Sequence, residues 1–518
     1  MVAYQFLSKT YTDVLGRAPD AGGWNYWQGE IERDRSLDQV RRVGASFFTG
    51  DEFLGKGYNT KDRLAVLYRV ALSREADLGG VNYWASQVDS GVRSFSDVVF
   101  NFFWGEEFNS IGSMYTQGKY EFRGGTPYRP EISQPAYRIG VKRSSNSYEW
   151  SDGPQGVQIT NSKQLQALLN SSRVGTRIML PQRSLIEVTE TIVTPWGVSI
   201  YTDGATFPDE YQKMARFVRS PSFTDGAMIA VSEASSLNFV WVDGQRSKIN
   251  EPNFKPQNIN VGLLGGMGSS IISSRVERAM GFSHITIGGG AVGLPPAYSV
   301  VRGNFVDGTF SNFSSQWSDG ISIGGEVVDV RFNTVINMTD VGIVSFVGNK
   351  SVQKRQDSGI RYNTVLNLSN NAYGGIVSDG VFNLAGVGTA PGSYAGYAQD
   401  LQFSSNTLWT SNSAFMAIAL SIGTRAWFGS ASQTINGSTF KDNTSNGQPL
   451  RVGTGIVVSG AINVTVQGNQ GLNFVFAPEA KKELPRLPFV ASISSRYASF
   501  KEVDMEWVDM MMDSAIVD

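Results

Sequence analysis

The 518-residue sequence contains no cysteine and a single histidine, His284. The first absence excludes disulfides, thiolate metal sites and cysteine nucleophiles, and the second leaves a Ser-His-Asp triad one imidazole to draw on. Charge is sparse: 44 Lys+Arg stand against 46 Asp+Glu, 17% of the chain, for a net charge of −2. A nucleic-acid backbone is therefore not an expected partner. No run of 18 apolar residues occurs, and the opening MVAYQFLSKTYTDVLGRAPD has neither the basic start nor the apolar stretch of a secretory leader. Neither a membrane span nor a leader is expected. What remains for chemistry is carboxylates, Lys, Arg, Tyr or a hard cation on oxygen ligands.

Glycine, at 57 residues, and aromatics, at 12%, are plentiful, a composition that favours a rigid β-rich object over a helical enzyme. The length calls for at least two domains, or one long repetitive domain with an appendage.

Residues 1–110 hold a duplication. Tyr11, Leu15, Arg17, Asp20, Gly23, Asn25, Tyr26 and Trp27 recur 57 residues later as Tyr68, Leu72, Arg74, Asp77, Gly80, Asn82, Tyr83 and Trp84. Phe48, Glu52 and Phe53 recur as Phe103, Glu107 and Phe108. Apolar residues between these landmarks fall at helical spacing, with Ser36 and Ser94 where N-caps belong, so each copy is expected to be a small helical module. The pattern LGRAPDAGGWNYW and ALSREADLGGVNYW, followed by FFTGDEF and FFWGEEF, resembles an uncharacterised helical repeat domain of bacterial secreted and surface proteins, related to the phycobilisome linker domain. The resemblance implies attachment or assembly. The second copy departs from it with Glu75-Ala76 where the first has Ala18-Pro19.

Residues 111–156, with scattered Pro, Gly, Ser and Tyr, read as a linker and neck. A short amphipathic helix is expected over 162–169, followed by strands over 177–180, 184–188, 192–193 and 198–201. Farther on, Asn304, Asn333, Asn363, Asn406 and Asn443 each follow a short alternating run, and a second marker comes later in each unit: Gly320-Ile321, Gly342-Ile343, Gly375-Ile376, Ala417-Ile418 and Gly455-Ile456. Units with the same two punctuation points stack in register. Ile321, Ile343, Ile376, Ile418 and Ile456 are expected to form one inward column, with Asn at a left-handed corner stacking into an amide ladder.

This spacing resembles the right-handed parallel β-helix of the pectate-lyase type, over about 157–475. The expected class is mainly β, a right-handed parallel β-helix with a small all-α N-terminal domain. Residues 476–518, rich in Met and ending VDMEWVDMMMDSAIVD, read as a C-terminal cap or subunit contact. A helical module, a neck, a β-helix and a short tail together resemble a bacteriophage tailspike. That resemblance implies a homotrimer in the virion tail that binds, and in many members cuts, host cell-surface polysaccharide, joined to phage tail or adaptor proteins through its N-terminal domain.

Hydrolysis of a polysaccharide needs two carboxyls, about 5 Å apart for retention and about 6.5–9.5 Å apart for inversion. Asp319 and Asp340 are one coil and one residue apart, which places their Cα atoms at roughly 6 Å. Glu326 and Asp379 share an outward phase at about 12 Å. Trp317, Phe346, Tyr373, Trp409 and Trp427 offer rings for sugar stacking, Phe346 in the same outward column as Asp379. Asp329 reads as half of a surface ion pair with Arg331. Lys350, Lys354 and Arg355 would serve a lyase. His284 alternates with Ile285 and Ile287 and is expected to face outward in a structural role. The glycines at 288, 290 and 293 spell GxGxxG, but Pro295-Pro296 forbids the helix that would hold a pyrophosphate. No cofactor and no metal are expected. A secreted polysaccharide lyase or epimerase and a non-enzymatic adhesin remain open beside the hydrolase.

Overall fold

The computed structural model describes residues 3–472 except 117–121, 131, 133–134, 145–146, 205, 225, 247–258, 265–267, 289–297, 310–317, 325–326, 347–358, 370, 380–401, 424–434, 437–438, 449, 460 and 463–464. Trp317, Glu326, Lys350, Lys354, Arg355, Trp427 and the segment 476–518 lie outside the described residues.

The duplicated sequence folds twice into the same series of helices. Tyr4–Lys9 with the π-helix Thr10–Leu15, then Ala21–Asp34, Leu37–Thr49 and Asp51–Leu54, match Thr60–Ala71, Leu78–Asp89, Phe95–Trp104 and Glu106–Thr116. Asp20 and Asp77 cap their helices by accepting from the N–H of Gly23 and Gly80 at 2.8 and 2.7 Å, and Ser36 and Ser94 do the same for Gln39 and Asp97. The repeated arginines tie the two halves of each copy together: Arg17 forks onto Glu52, and Arg74 onto Glu107, at 2.6–3.1 Å. Each guanidinium also lies over a ring, Arg17 over Tyr11 and Arg74 over Tyr68. A Cβ at Gly23 would meet the Tyr11 hydroxyl at 2.7 Å and displace it, which favours glycine where the motif has one.

From Thr176 onward the chain winds as a parallel β-helix. It visits three sheets in turn, for example through Val327–Arg331, Thr334–Ile336 and Val341–Phe346. Among the described residues the sheets hold 12, 8 and 9 strands and are called the first, second and third. The helix Ser162–Asn170 caps one end, with Leu165 and Leu169 in the same apolar core as the strands behind it. The stretch read as linker and neck carries an antiparallel hairpin, Arg138–Ser144 with Ser147–Asp152, which pairs onto Thr176–Leu180 and extends the first sheet.

The amide ladder is present. Each Nδ2 of Asn304, Asn333, Asn363, Asn406 and Asn443 donates to Oδ1 of the next asparagine, ending at Asn469, at 2.9–3.1 Å. The same Oδ1 atoms accept the backbone N–H of the preceding asparagine. The left-handed residue, however, is not the asparagine but the one before it: Phe332 (φ 58), Tyr362 (φ 57), Ser405 (φ 56) and Asp442 (φ 54), with Gly303 and Gly468 elsewhere in the column. Asparagine has ladder bonds to keep on both its amide and its N–H, so the bend falls on the neighbour whose side chain points out. The strain there is about 1–2 kcal/mol for a residue other than glycine.

The Gly-Ile marker has a steric cause. Third-sheet pairing skips a position between Val341↔Gly374 and Ile343↔Ile376, and two consecutive residues turn inward. The first must be tiny: a Cβ on Gly342 would collide with Val365 Cγ1 and lie 2.7 Å from the Gly375 carbonyl oxygen. Two expectations are corrected by this register. Leu420, not Ile418, stands over Ile376 and under Ile456, while Ile418 pairs with Gly374. A shift of two residues keeps the same face inward, so the alternating pattern alone does not reveal it. His284 occupies the glycine position, opposite Gly320, since Ser283 pairs with Asp319 and Ile285 with Ile321. It is therefore fully buried rather than outward.

The outer face of the second sheet is covered by the N-terminal module. Phe305, Ile336, Leu366, Leu368 and Trp409 join one apolar cluster with the helices. Beside them ten ionisable side chains meet out of solvent. Lys9, Asp13, Arg69 and Glu75 come from the module, and Arg216, Asp243, Arg275, Glu277, Arg278 and Asp307 from the β-helix. Five cations face five anions. Arg275 holds Asp13 at 2.6 Å, Arg216 reaches Glu75 at 2.5 Å and Asp243 at 2.6 Å, and Arg69 pairs with Asp13, Glu75 and Glu277.

Candidate functional site

Asp319 and Asp340, two of the four acids expected to carry chemistry, lie at the start of third-sheet strands. Asp319 opens the strand Asp319–Gly324, and Asp340 immediately precedes Val341–Phe346. The Val341 N–H donates to Asp319 Oδ1 at 3.1 Å, so the two aspartates are one coil and one residue apart, as their spacing requires. Asp319 is 5% exposed, and its Oδ2 accepts from the Ser322 hydroxyl at 2.9 Å. Asp340 is half-buried, and its carbonyl accepts from the N–H of Tyr373 and of Gly374 at 2.9 and 3.1 Å. Tyr373, also half-buried, packs on Val341, Val344 and Val377. One coil farther, the backbone of Phe346 pairs with that of Asp379, the neighbour relation expected of them.

Other expected residues are placed differently. Trp409 is 4% exposed in the cluster shared with the N-terminal helices, so its ring is not open to a sugar. It was misread because its apolar neighbours lie in another domain, far away in sequence. Asp329 is 1% exposed and pairs with both Arg302 and Arg331, so it is a covered anion rather than a surface partner. Burial pushes its carboxyl up, but the hydrogen bonds from Arg331 and Arg302 outweigh that and hold it below the usual range.

A feature not foreseen from the sequence stands at the corner between the first and second sheets. Phe332 and Tyr362 stack at a centroid distance of 5.2 Å and an interplanar angle of 9°, and are 56% and 51% exposed. The signal was available: both precede a ladder asparagine, where other coils have Gly303, Ser405 or Asp442.

Two further places offer less to a glycosidase. A cleft of about 340 Å³ near Arg129 and Arg219 has Glu187 as the single carboxylate of its lining residues, which does not supply a hydrolytic pair. Carboxylate oxygens of Asp13, Glu277 and Asp307 lie within 4.8 Å of one another, but Lys9 reaches Asp13 at 2.9 Å and Asp307 at 3.4 Å, and Arg275 reaches Asp13 and Glu277 at 2.6 and 2.8 Å. Those cations occupy the place a metal ion would take.

His284 is held as a neutral imidazole. Nε2 accepts from the Ala279 N–H at 3.3 Å, so Nδ1–H donates to the Asp319 carbonyl at 2.8 Å. Burial pushes its pKa down to about 4, with the Asp319 carbonyl acting against the shift. Because the folded value lies below the ordinary 6.5, the unfolded chain takes the proton first. The contribution to stability is complete above pH 6.5 and is lost as pH falls from there towards 4. Denaturant midpoints of the protein should therefore drop between pH 7 and pH 5 by more than those of His284→Gln. Equal drops would show that the histidine is not the responsible group.

Comparison with known proteins gives one family model, described as a domain of unknown function (DUF4214), which matches residues 44–111. No curated protein matches the sequence. Among solved structures, the chain is similar to the catalytic domain of a GH87 α-1,3-glucanase in complex with tetrasaccharides, at 11% identity over 72% of this chain and 70% of that one, with a TM-score of 0.33. It is similar to an alginate lyase from Paenibacillus sp. str. FPU-7, at 8% identity over 58% and 97% of the two chains, TM-score 0.28. It is also similar to the tailspike protein of E. coli bacteriophage HK620 in complex with hexasaccharide, at 10% identity over 63% and 70%, TM-score 0.28. At such identities and TM-scores these are likenesses of chain path alone; the parallel β-helix and the helical module are read from the strand pairing and helices of this chain.

Proposed function

We propose that this protein is a tailspike-like receptor-binding protein that binds a host-surface polysaccharide on the outside of its β-helix and hydrolyses it with Asp319 and Asp340. The observation that carries the reading is the adjacency of these two acids on neighbouring coils, joined through the Val341 N–H. Asp319, oriented by two donors, suits the role that accepts a proton or attacks, and Asp340 suits the proton donor. Glu326 and Asp379 are the reserve acids of this reading, and Tyr373 and Phe346 are rings for sugar stacking. In this reading the N-terminal module serves attachment to phage tail or adaptor proteins, the assembly is a homotrimer, and the working location is the virion tail.

A non-enzymatic adhesin is favoured by one observation: Asp319 is nearly closed off, and both of its oxygens are engaged within the protein. Incubation with a panel of envelope polysaccharides and mass analysis of the products separates the readings. Hydrolysis yields new reducing ends, a lyase yields unsaturated uronates, and an adhesin yields neither while still binding. Asp319→Asn and Asp340→Asn should each abolish product formation and leave binding and the thermal transition unchanged. Turnover retained in both variants would remove the assignment.

A further inference from the structure

The outer face of the first sheet carries a column of arginines beside the stacked rings. Arg302, Arg331 and Arg361 are paired residue by residue across neighbouring strands. Arg331 and Arg361 immediately precede Phe332 and Tyr362. In the strands Tyr298–Arg302, Val327–Arg331 and Gly359–Arg361 the one acid is Asp329, which is paired with two of the three guanidinium groups and is 1% exposed. The three described strands thus carry three guanidinium groups to one acid. Arg361 lies back along its own strand, and a Cβ on Gly359 would approach its Nε to 2.5 Å, so the glycine makes room for that arrangement.

The rings are expensive where they stand. Both residues have left-handed backbone at a corner where Ser273, Ser405 and two glycines show that small residues suffice. Neither ring serves the interior, since more than half of each is exposed. Bulky residues held under backbone strain without a packing role mark places where a ligand repays the arrangement. A pair of flat apolar faces suits the apolar face of a sugar ring, and guanidinium groups spaced by one rung, about 4.8 Å, suit carboxylates repeated along a chain.

We infer that Phe332 and Tyr362, with the column of Arg302, Arg331 and Arg361, form a binding surface for an acidic polysaccharide. This rests on the proposed function and names its substrate class. The test is affinity electrophoresis of the full chain in gels containing polygalacturonate, alginate or dextran. The two acidic polymers should retard the protein, less so as salt rises, and dextran should not. Phe332→Ser with Tyr362→Ser installs the residue found at the same corner in Ser273 and Ser405, so the fold is kept, and retardation should weaken at least ten-fold. Arg361→Gln should weaken it and flatten its dependence on salt. Equal retardation in dextran, none in the acidic gels, or an unchanged double variant overturns the inference. A changed oligomeric state in the double variant, with retardation intact, also overturns it by making the rings a self-association surface. If an envelope polysaccharide is cleaved while the acidic gels do nothing, the inference fails and the hydrolase stands. If no polysaccharide is bound or cleaved, both fall.

Discussion

Arg69→Met lowers the stability of the protein by about 3–5 kcal/mol, the loss expected when one partner of a buried ion network is removed. Arg69 is almost fully buried and joins Asp13, Glu75 and Glu277, acids from both the module and the β-helix. Methionine fills most of its volume but leaves four cations to face five anions. The carboxylates show how strongly the network is poised. Burial pushes Asp243 up, but Arg278 and Arg216 outweigh this and bring it down to about 2. For Asp13, too, burial is outweighed by Lys9, Arg69 and Arg275. Folded values below the unfolded ones mean that this stabilisation is present above about pH 4 and is lost as pH falls towards 2. Urea denaturation at pH 7 measures the effect. A midpoint within experimental error of the unaltered protein would show that the network contributes little beyond filling space.

Asn363→Ala is the second large effect, about 3–5 kcal/mol. The substitution leaves the Asn333 N–H and Nδ2 without their acceptor, and leaves the Val330 carbonyl and one acceptor site of Asn406 Oδ1 without their donor. Each buried group left unpaired costs about 1–3 kcal/mol. Asn363→Asp keeps the acceptor oxygen but not the donors, and falls between the two. Thermal melts of both variants test the ranking. If alanine is tolerated as well as aspartate, the ladder is not what holds the corner.

The sequence made the winding legible because two local requirements repeat. From Asn304 onward an asparagine closes the ladder and a tiny residue precedes the inward aliphatic one, so both leave repeated letters. Leu420 escaped since Ile418, two residues earlier, satisfies the same alternation, and only strand pairing tells them apart. His284 escaped because it replaces the tiny residue with a ring that finds two backbone partners. The docking of the module was the least visible. In RFVRS, WVDG, RVER and FVDG a charged residue stands beside each inward Phe217, Val242, Val276 or Val306, as on a solvated sheet. The one mark was Glu75, where the second helical copy departs from the first, and Glu75 is the residue that reaches Arg216. Of the candidate site, the neighbourhood of Asp319 and Asp340 follows from spacing, whereas the exposure of the corner rings follows only once the left-handed bend is placed on the residue before each ladder asparagine rather than on the asparagine itself.

A stack of coils ordinarily holds together through nearest neighbours alone, so its ends fray one turn at a time. Here the helical module reaches seven successive turns of the second sheet, through Glu75 on Arg216, Arg69 over Trp241, Asp13 on Arg275, Lys9 on Asp307, Ser8 on Asn337 and the apolar cluster it shares with Leu366 and Trp409. Those turns are bound to open together with the module as one cooperative block, while the coils beyond it keep the freedom to unzip singly.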